Sequence, residues 1–188
     1  NVIMSYEDRP HNFDAWDINN YYTEKSWPVD DVQSITVTEN GPVRGCIRVE
    51  RKYLDSTIVQ YLYFYPELYR IDIRNEIDWK EKQILLRDYI PVDIHAAEAT
   101  YEIQYGNVTR PTHYNTSWDF ARFEVCAHKW IDISENGYGI SVLNDCKYGC
   151  DIHNGEIGLT MLKSAVYPNP DADKEHHSFT WSIAPHEG

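Results

Sequence analysis

The stretch STIVQYLYFYPELYRIDIRNEIDWKEKQ, residues 56–83, decides the fold. Its first ten residues alternate between the two faces of an extended chain and are rich in β-branched and aromatic side chains, which suit a pleated, half-buried strand. Further on, Ile71 and Ile73 fall on one face and Asp72 and Arg74 on the other. Pro66 and Glu67 lie between, and proline, with φ fixed and no N–H to give to a ladder, makes the chain turn there. The segment predicts an antiparallel hairpin with one face toward a core.

The same period of two extends in both directions. QSITVTENGPVRGCIRVERKY, residues 33–53, reads as two strands joined at Glu39-Asn40-Gly41-Pro42, with Asn-Gly expected to supply the positive φ of the turn. QILLRDYIPVDI, ATYEIQYG, ARFEVCAHKWIDI, YGISVLND, IGLTMLK and HSFTWSIAPH continue the series, for roughly ten to twelve strands. His128 is expected on the strand FEVCAHKW, whose apolar residues fall on both parities. No segment after Ser34 carries a capped apolar stripe of helical period. The expectation is an all-β protein, residues 1–188 forming one domain, since 188 residues supply one real core but not two comfortable ones.

Fifteen Tyr and six Trp fit half-buried sheet positions and binding rims alike. A formal charge of −13 repels phosphate backbones and anionic membranes, which argues against nucleic acid or a membrane surface as partner. The apolar runs are too short for a transmembrane helix, and the N-terminus lacks the regions of a signal peptide. Asn1 to Ser5 lead directly into a loop-like segment without an initiating Met, and the chain stops just after a strand. It therefore reads as an internal fragment whose sheet edges need partners.

Cys46, Cys126, Cys146 and Cys150 lack the density of a disulfide scaffold and read as reduced thiols of a cytoplasmic protein. A zinc site at Cys146 and Cys150 would need two further ligands, and His153 is the one nearby candidate. Asp93 with His95, and Asp151 with His153, place a carboxylate and an imidazole on one strand face. Cross-strand hydrogen bonding is the better reading of both pairs. The sequons at Asn107 and Asn115 matter only in a secreted chain. No phosphate loop, Gly-x-Ser-x-Gly or His-Glu-x-x-His occurs.

Two segments break the strand rhythm: residues 6–31, YEDRPHNFDAWDINNYYTEKSWPVDD, and residues 108–119, VTRPTHYNTSWD. Polar, aromatic loops on a rigid sheet are where binding residues usually sit. In the first, Asp14, Trp16 and Asp17 combine an indole face that can stack on a pyranose with carboxylates that accept its hydroxyls, although an aromatic plug with solvated acids is the plainer reading. In the second, Arg110, His113, Asn115, Trp118 and Asp119 gather in ten residues, with His113 better suited to anchoring a loop than to general-acid work. A third irregular stretch, SAVYPNPDADKEHH, reads as solvated connection.

Several of these stretches together carry a resemblance. EDRPHNFDAWDI, RNEIDWKEKQ, IPVDIHAAEATYEIQYGNVTRPTHYNTSWDFARFEVCAHKW, YGISVLNDCKYG and PNPDADKEHHSFTWSIAPHEG resemble, in order and over nearly the whole chain, the C-terminal β domain of family 38 glycoside hydrolases. The branch is that of cytosolic and vacuolar α-mannosidases and their bacterial relatives. The resemblance implies a large antiparallel β-sandwich, a fragment of a galactose-mutarotase-like supersandwich. It implies a retaining exo-α-mannosidase acting on mannose-containing oligosaccharides, whose nucleophile and divalent metal, usually zinc, belong to an N-terminal α/β domain followed by a helical bundle. The family's His-x-Asp metal pair does not occur in these 188 residues. No catalytic residue and no metal ligand is therefore assigned to this chain, which would partly line the cleft through Asp14, Trp16 and Asp17.

Arg110, His113, Asn115, Trp118 and Asp119 match the family by type, as cleft residues or as braces of a crossing pinned by Arg110 and Asp119. Gly158 departs from relatives that carry an arginine reaching toward the cleft. Competing readings are a carbohydrate-binding module and a mutarotase-type aldose epimerase, and self-association is open.

Overall fold

A computed structural model describes residues 1–187, and among them fifteen strands form. In chain order they are β1 (Val2–Glu7), β2 (Ser26–Pro28), β3 (Val32–Asn40), β4 (Gly45–Tyr53), β5 (Ser56–Tyr65), β6 (Leu68–Asp78), β7 (Ile84–Pro91) and β8 (Glu98–Ile103). There follow β9 (Gly106–Pro111), β10 (Val125–Cys126), β11 (Trp130–Glu135), β12 (Tyr138–Asn144), β13 (Gly149–His153), β14 (Glu156–Lys163) and β15 (His176–His186). They build a six-stranded sheet, β10-β13-β14-β7-β1-β2, and a nine-stranded sheet, β3-β4-β5-β6-β15-β12-β11-β8-β9. Every pairing is antiparallel. The all-β sandwich is the fold that the alternation and the resemblance together called for.

The core lies between the sheets. Alternate residues of each strand meet there, among them Ile58, Ile77, Leu86, Val142, Ile152 and Ile157, all fully buried, with Trp79 and Trp181. Each such aliphatic side chain stabilises the fold by about 1.5–3 kcal/mol relative to an exposed one. Strand β7 departs from alternation: Leu85, Leu86, Arg87 and Asp88 are buried in succession because both faces of the strand are covered.

Four expectations need correction. The strands outnumber the ten to twelve read from pattern, the short ladders β2 and β10 being too brief to leave one. The loop-like segment does not run unbroken over residues 6–31: Tyr6 and Glu7 complete β1, in which Ile3 and Ser5 point inward, and Ser26–Pro28 form β2, which pairs with it as β7 does. FEVCAHKW is not one strand, because the chain leaves the six-stranded sheet after Cys126 and joins the other at Trp130. His128 lies on that crossing, its carbonyl accepting from Asn144 Nδ2 at 3.1 Å, and apolar residues on both parities were the sign of a change of sheet. The β3–β4 hairpin forms without a left-handed Gly41; its loop closes through Gly41 N–H to Arg44 O at 3.1 Å. Left-handed residues occupy other loops, among them Asn154 (φ 52°) and Gly155 (φ 75°), the two-residue loop between β13 and β14, where positive φ at both positions matches the strand twist.

Candidate functional site

The two irregular segments converge on the outer face of the six-stranded sheet. Strand alternation aims Tyr6, Arg87, Tyr89, Asp151 and His153 to that side, and register places Arg87 opposite Met4 and Thr160, with Gly158 between Tyr89 and Asp151. Residues 8–25 fold over one part of the face and residues 112–124 over another. The first roof is tied down by Asp8 to Lys163 and by Asp14, whose Oδ2 accepts the N–H groups of Val166 and Tyr167 at 2.7 and 3.1 Å. The second is tied by Thr160 Oγ1 donating to Glu124 at 2.5 Å and by the rings of Tyr114 and His153, 4.1 Å apart. The roofs touch where Tyr22 meets Phe123, ring centres 5.9 Å apart.

Arg87 lies at the centre. Its guanidinium is buried, pairs with the Asp151 carboxylate, and donates from Nη1 to the hydroxyls of Tyr22 at 2.7 Å and Tyr89 at 3.1 Å. Tyr6 adds a hydroxyl bond to Tyr89 at 3.0 Å. Burial alone would lower the Arg87 pKa; the Asp151 carboxylate beside it more than offsets this and holds it well above the ordinary value. Burial raises the phenols of Tyr6, Tyr22 and Tyr89 against the pull of the guanidinium, so they remain neutral donors and acceptors. Burial likewise lowers His153, favouring neutral imidazole, and raises Glu124, against which Arg87 and Thr160 act.

Beside this lattice opens a cavity of about 410 Å³, lined by Tyr6, Tyr22, Tyr89, Tyr114, Asp151, His153 and Glu156 among others. Ring faces, phenol hydroxyls and carboxylates around a space of that size suit a polyhydroxylated ligand.

The residues singled out by sequence fall around this face in different ways. A tight turn at Phe13, which receives the N–H groups of Trp16 and Asp17 at 2.7 and 2.9 Å, pushes Trp16 out to 69% exposure with Asp17 exposed beside it, whereas Asp14 is half-buried in bracing the loop. Thr116 caps the short helix α1 (Ser117–Phe120): its hydroxyl and N–H meet Asp119 Oδ2 at 2.8 and 3.0 Å, and Asp119 N–H returns to Thr116 Oγ1 at 3.2 Å. His113 lies 3.8 Å from Asp119 and accepts the N–H of Asn115 at 3.4 Å; Trp118 projects into solvent. Arg110 stacks over Tyr101 with its guanidinium carbon 5.6 Å from the ring centre, and shares a small cleft with Asp119, Arg122 and His153.

Asp151 is engaged by Arg87 rather than by a shared metal with His153, and Asp93 and His95 stand in open solvent, 3.6 Å apart. Cys146 is exposed and Cys150 buried against Val125 O, so they do not share a site. Among the described residues, Asp173, Glu175 and His177 bring three ligand atoms within 4.8 Å of one another. None of the three lines the cavity.

Sequence reasoning missed Arg87, Tyr6, Tyr22, Tyr89 and Tyr114. The available signal was the charged pair Arg87-Asp88 in the middle of the apolar strand QILLRDYIPV, where unpaired charge is costly.

With this geometry in hand, residues 1–171 match the model of the glycosyl hydrolases family 38 C-terminal domain. The chain belongs to that family. It is 41% identical over 194 residues to Alpha-mannosidase G of Dictyostelium discoideum and 37% identical over 190 residues to Alpha-mannosidase 2C1 of Homo sapiens. All of this chain is covered in both alignments, and it spans about 18% of each relative's length. An α-mannosidase from Enterococcus faecalis V583 shares the fold with a TM-score of 0.79 at 14% identity, over 99% of this chain and 25% of that one. No helix among the described residues is long and apolar enough to cross a membrane.

Proposed function

We propose that these 188 residues are one β-sandwich unit of a longer α-mannosidase polypeptide and form one wall of its sugar cleft. The observation that carries the reading is the convergence of both aromatic irregular segments on the outer face of the six-stranded sheet, around a cavity bounded by tyrosines and Asp151. The family relatives are named α-mannosidases. The enzyme removes terminal α-mannose from oligosaccharides in the cytoplasm. Its nucleophile lies in a preceding α/β domain, which is joined to this unit through a helical bundle. A divalent metal, zinc by the family's habit, grips the terminal mannose there.

What this chain does is bind and orient. The exposed Trp16 indole stacks on a pyranose face and Asp17 accepts a hydroxyl, while Asp14, committed to the backbone of Val166 and Tyr167, fixes the loop that presents them. Arg87 holds Tyr22, the inner end of the same loop, against the sheet. Arg110, His113, Asn115 and Asp119 brace the second roof.

In the full polypeptide, Trp16→Ala should lower kcat/KM for an aryl α-mannoside about tenfold, chiefly through KM, with the melting temperature unchanged because the indole is exposed. Unchanged kinetics would remove Trp16 from the cleft. Absence of α-mannoside hydrolysis by the unsubstituted polypeptide would remove the enzyme reading altogether.

A further inference from the structure

The two faces of the β3–β6 end of the nine-stranded sheet differ in kind. The outward one is finished for water: Arg48 pairs with Glu50 and lies over Tyr61, Arg44 pairs with Glu39 and lies over Tyr63, and Tyr65 donates to Asp72. The face that looks the way of the core carries one polar group, Arg51, Gln60 and Asn75, and is otherwise apolar, and it runs on past the point where the six-stranded sheet stops at the three exposed residues of β2. One row of the ladder shows this directly. Trp181, Ile73, Leu62, Ile47 and Val37 stand side by side through β15, β6, β5, β4 and β3. Trp181 and Ile73 are buried at 1% and 2%, Leu62 and Ile47 are half-buried, and Val37 is 68% exposed. In the neighbouring row Ile35, opposite Val49, is 67% exposed, and Phe64, opposite Ile71, extends the patch toward the hairpin tips.

We infer that this overhanging inner face is a docking surface for an apolar segment of the same polypeptide that lies outside residues 1–188. A continuous apolar surface that grows out of a core marks an interface. The polypeptide has ample chain to cover it, because this chain spans 18% of the length of the relatives it matches. The partner is uncharged where it meets Ile35, Val37 and Phe64. Residues 32–78 carry six Lys/Arg against seven Asp/Glu, so little of the −13 charge stands in the way of such a contact. A second copy would bring two strongly acidic chains together, whereas a segment of the same polypeptide arrives at high effective concentration. β3 is also an open edge of nine residues with Ile35, Thr36, Val37 and Thr38 in series and no Lys or Pro on it, which suits a strand that is covered in the complete protein.

The test uses the full polypeptide carrying single cysteines at three adjacent positions, Ile35→Cys, Thr36→Cys and Val37→Cys. All three sites are exposed in the 188-residue fold, so the substitutions spare its core. Maleimide labelling of the native protein, located by peptide mass spectrometry, should be about tenfold slower at positions 35 and 37 than at 36, which faces the other way, and equally so on dilution. Equal labelling at all three positions overturns the proposal. Slow labelling that is lost on dilution also overturns it, in favour of a second copy. Hydroxyl-radical footprinting of the unsubstituted polypeptide provides an independent readout, with Phe64 shielded; its oxidation at the rate of a freely exposed phenylalanine overturns the proposal as well. None of these readouts involves mannosidase activity, so their failure is separate from failure of the functional reading.

Discussion

Arg87 and Asp88 are neighbours on β7 and both are fully buried, yet they face opposite sides of the six-stranded sheet and meet different company. Arg87 looks outward under the loop roof, where a full opposite charge and two phenols receive it. Asp88 looks inward between the sheets, where its Oδ2 accepts from the amides of Asn1 at 2.7 Å and Gln60 at 3.5 Å, and Gln60 is in turn bound to Asn75 and Arg51. The guanidinium is held above its ordinary pKa. Burial pushes the Asp88 carboxyl up to about 6, with the Asn1 bond pulling against it. A buried charge keeps its ionisation when a counter-charge is in contact; at Asp88 the amides in contact, with the Asn1 ammonium and Arg51 not paired to it, offset only part of the desolvation.

The strongest way to break this contrast is to remove Arg87. Arg87→Leu leaves Asp151 buried without its cation and Tyr22 without its donor, and should destabilise the 188-residue chain by about 3–5 kcal/mol in urea denaturation followed by tryptophan fluorescence. Proteolysis within residues 8–25 should rise with it, since Tyr22 is the inner anchor of that roof. A loss below about 1 kcal/mol would mean that the pair does not hold the face together.

Asp88 gives the next effect, and it depends on pH. With a folded pKa near 6 against an ordinary 3.8, the folded chain binds an extra proton between those values. Stability from this group is therefore greatest below about pH 4, falls as pH rises toward 6, and is flat above. A shift of about two pKa units at 1.36 kcal/mol each makes the fall about 3 kcal/mol. Asp88→Asn should flatten denaturation free energy between pH 4 and 6 relative to the parent chain. A parent chain already flat over that range would show that the interior solvates this carboxylate.

How far the sequence revealed these regions follows from what side-chain period can encode. Alternation in residues 56–83 marks which residues share a face, so the hairpins and the all-β class were legible. It does not say whether a face is covered once or twice. In β7 the roof residues are remote in sequence, Tyr22 lying 65 positions from the Arg87 it meets, and no local pattern reports them. The Asp14 and Arg110 segments were recognisable as irregular and aromatic, but their convergence depends on β1, β7, β13 and β14 lying side by side. The same limit explains Asp151: its spacing from His153 put both on one strand face, and the arginine that claims the carboxylate came from another strand.

The smallest expected effect tests how the outer lattice is packed. A Cβ on Gly158 would stand 2.7 Å from Asp151 Oδ1, 2.8 Å from Arg87 Nη2 and 3.1 Å from Tyr89 Cε1, so the glycine is the floor across which the guanidinium reaches β13. Gly158→Ala should cost about 1–3 kcal/mol through displacement of that pair. In an Arg87→Leu background the guanidinium is gone, and the alanine should cost less by at least about 0.5 kcal/mol, a coupling that a double-mutant cycle reads directly. Strict additivity would mean that the alanine acts on the strand and not on the pair. A side chain at position 158 and the buried Arg87 compete for one volume.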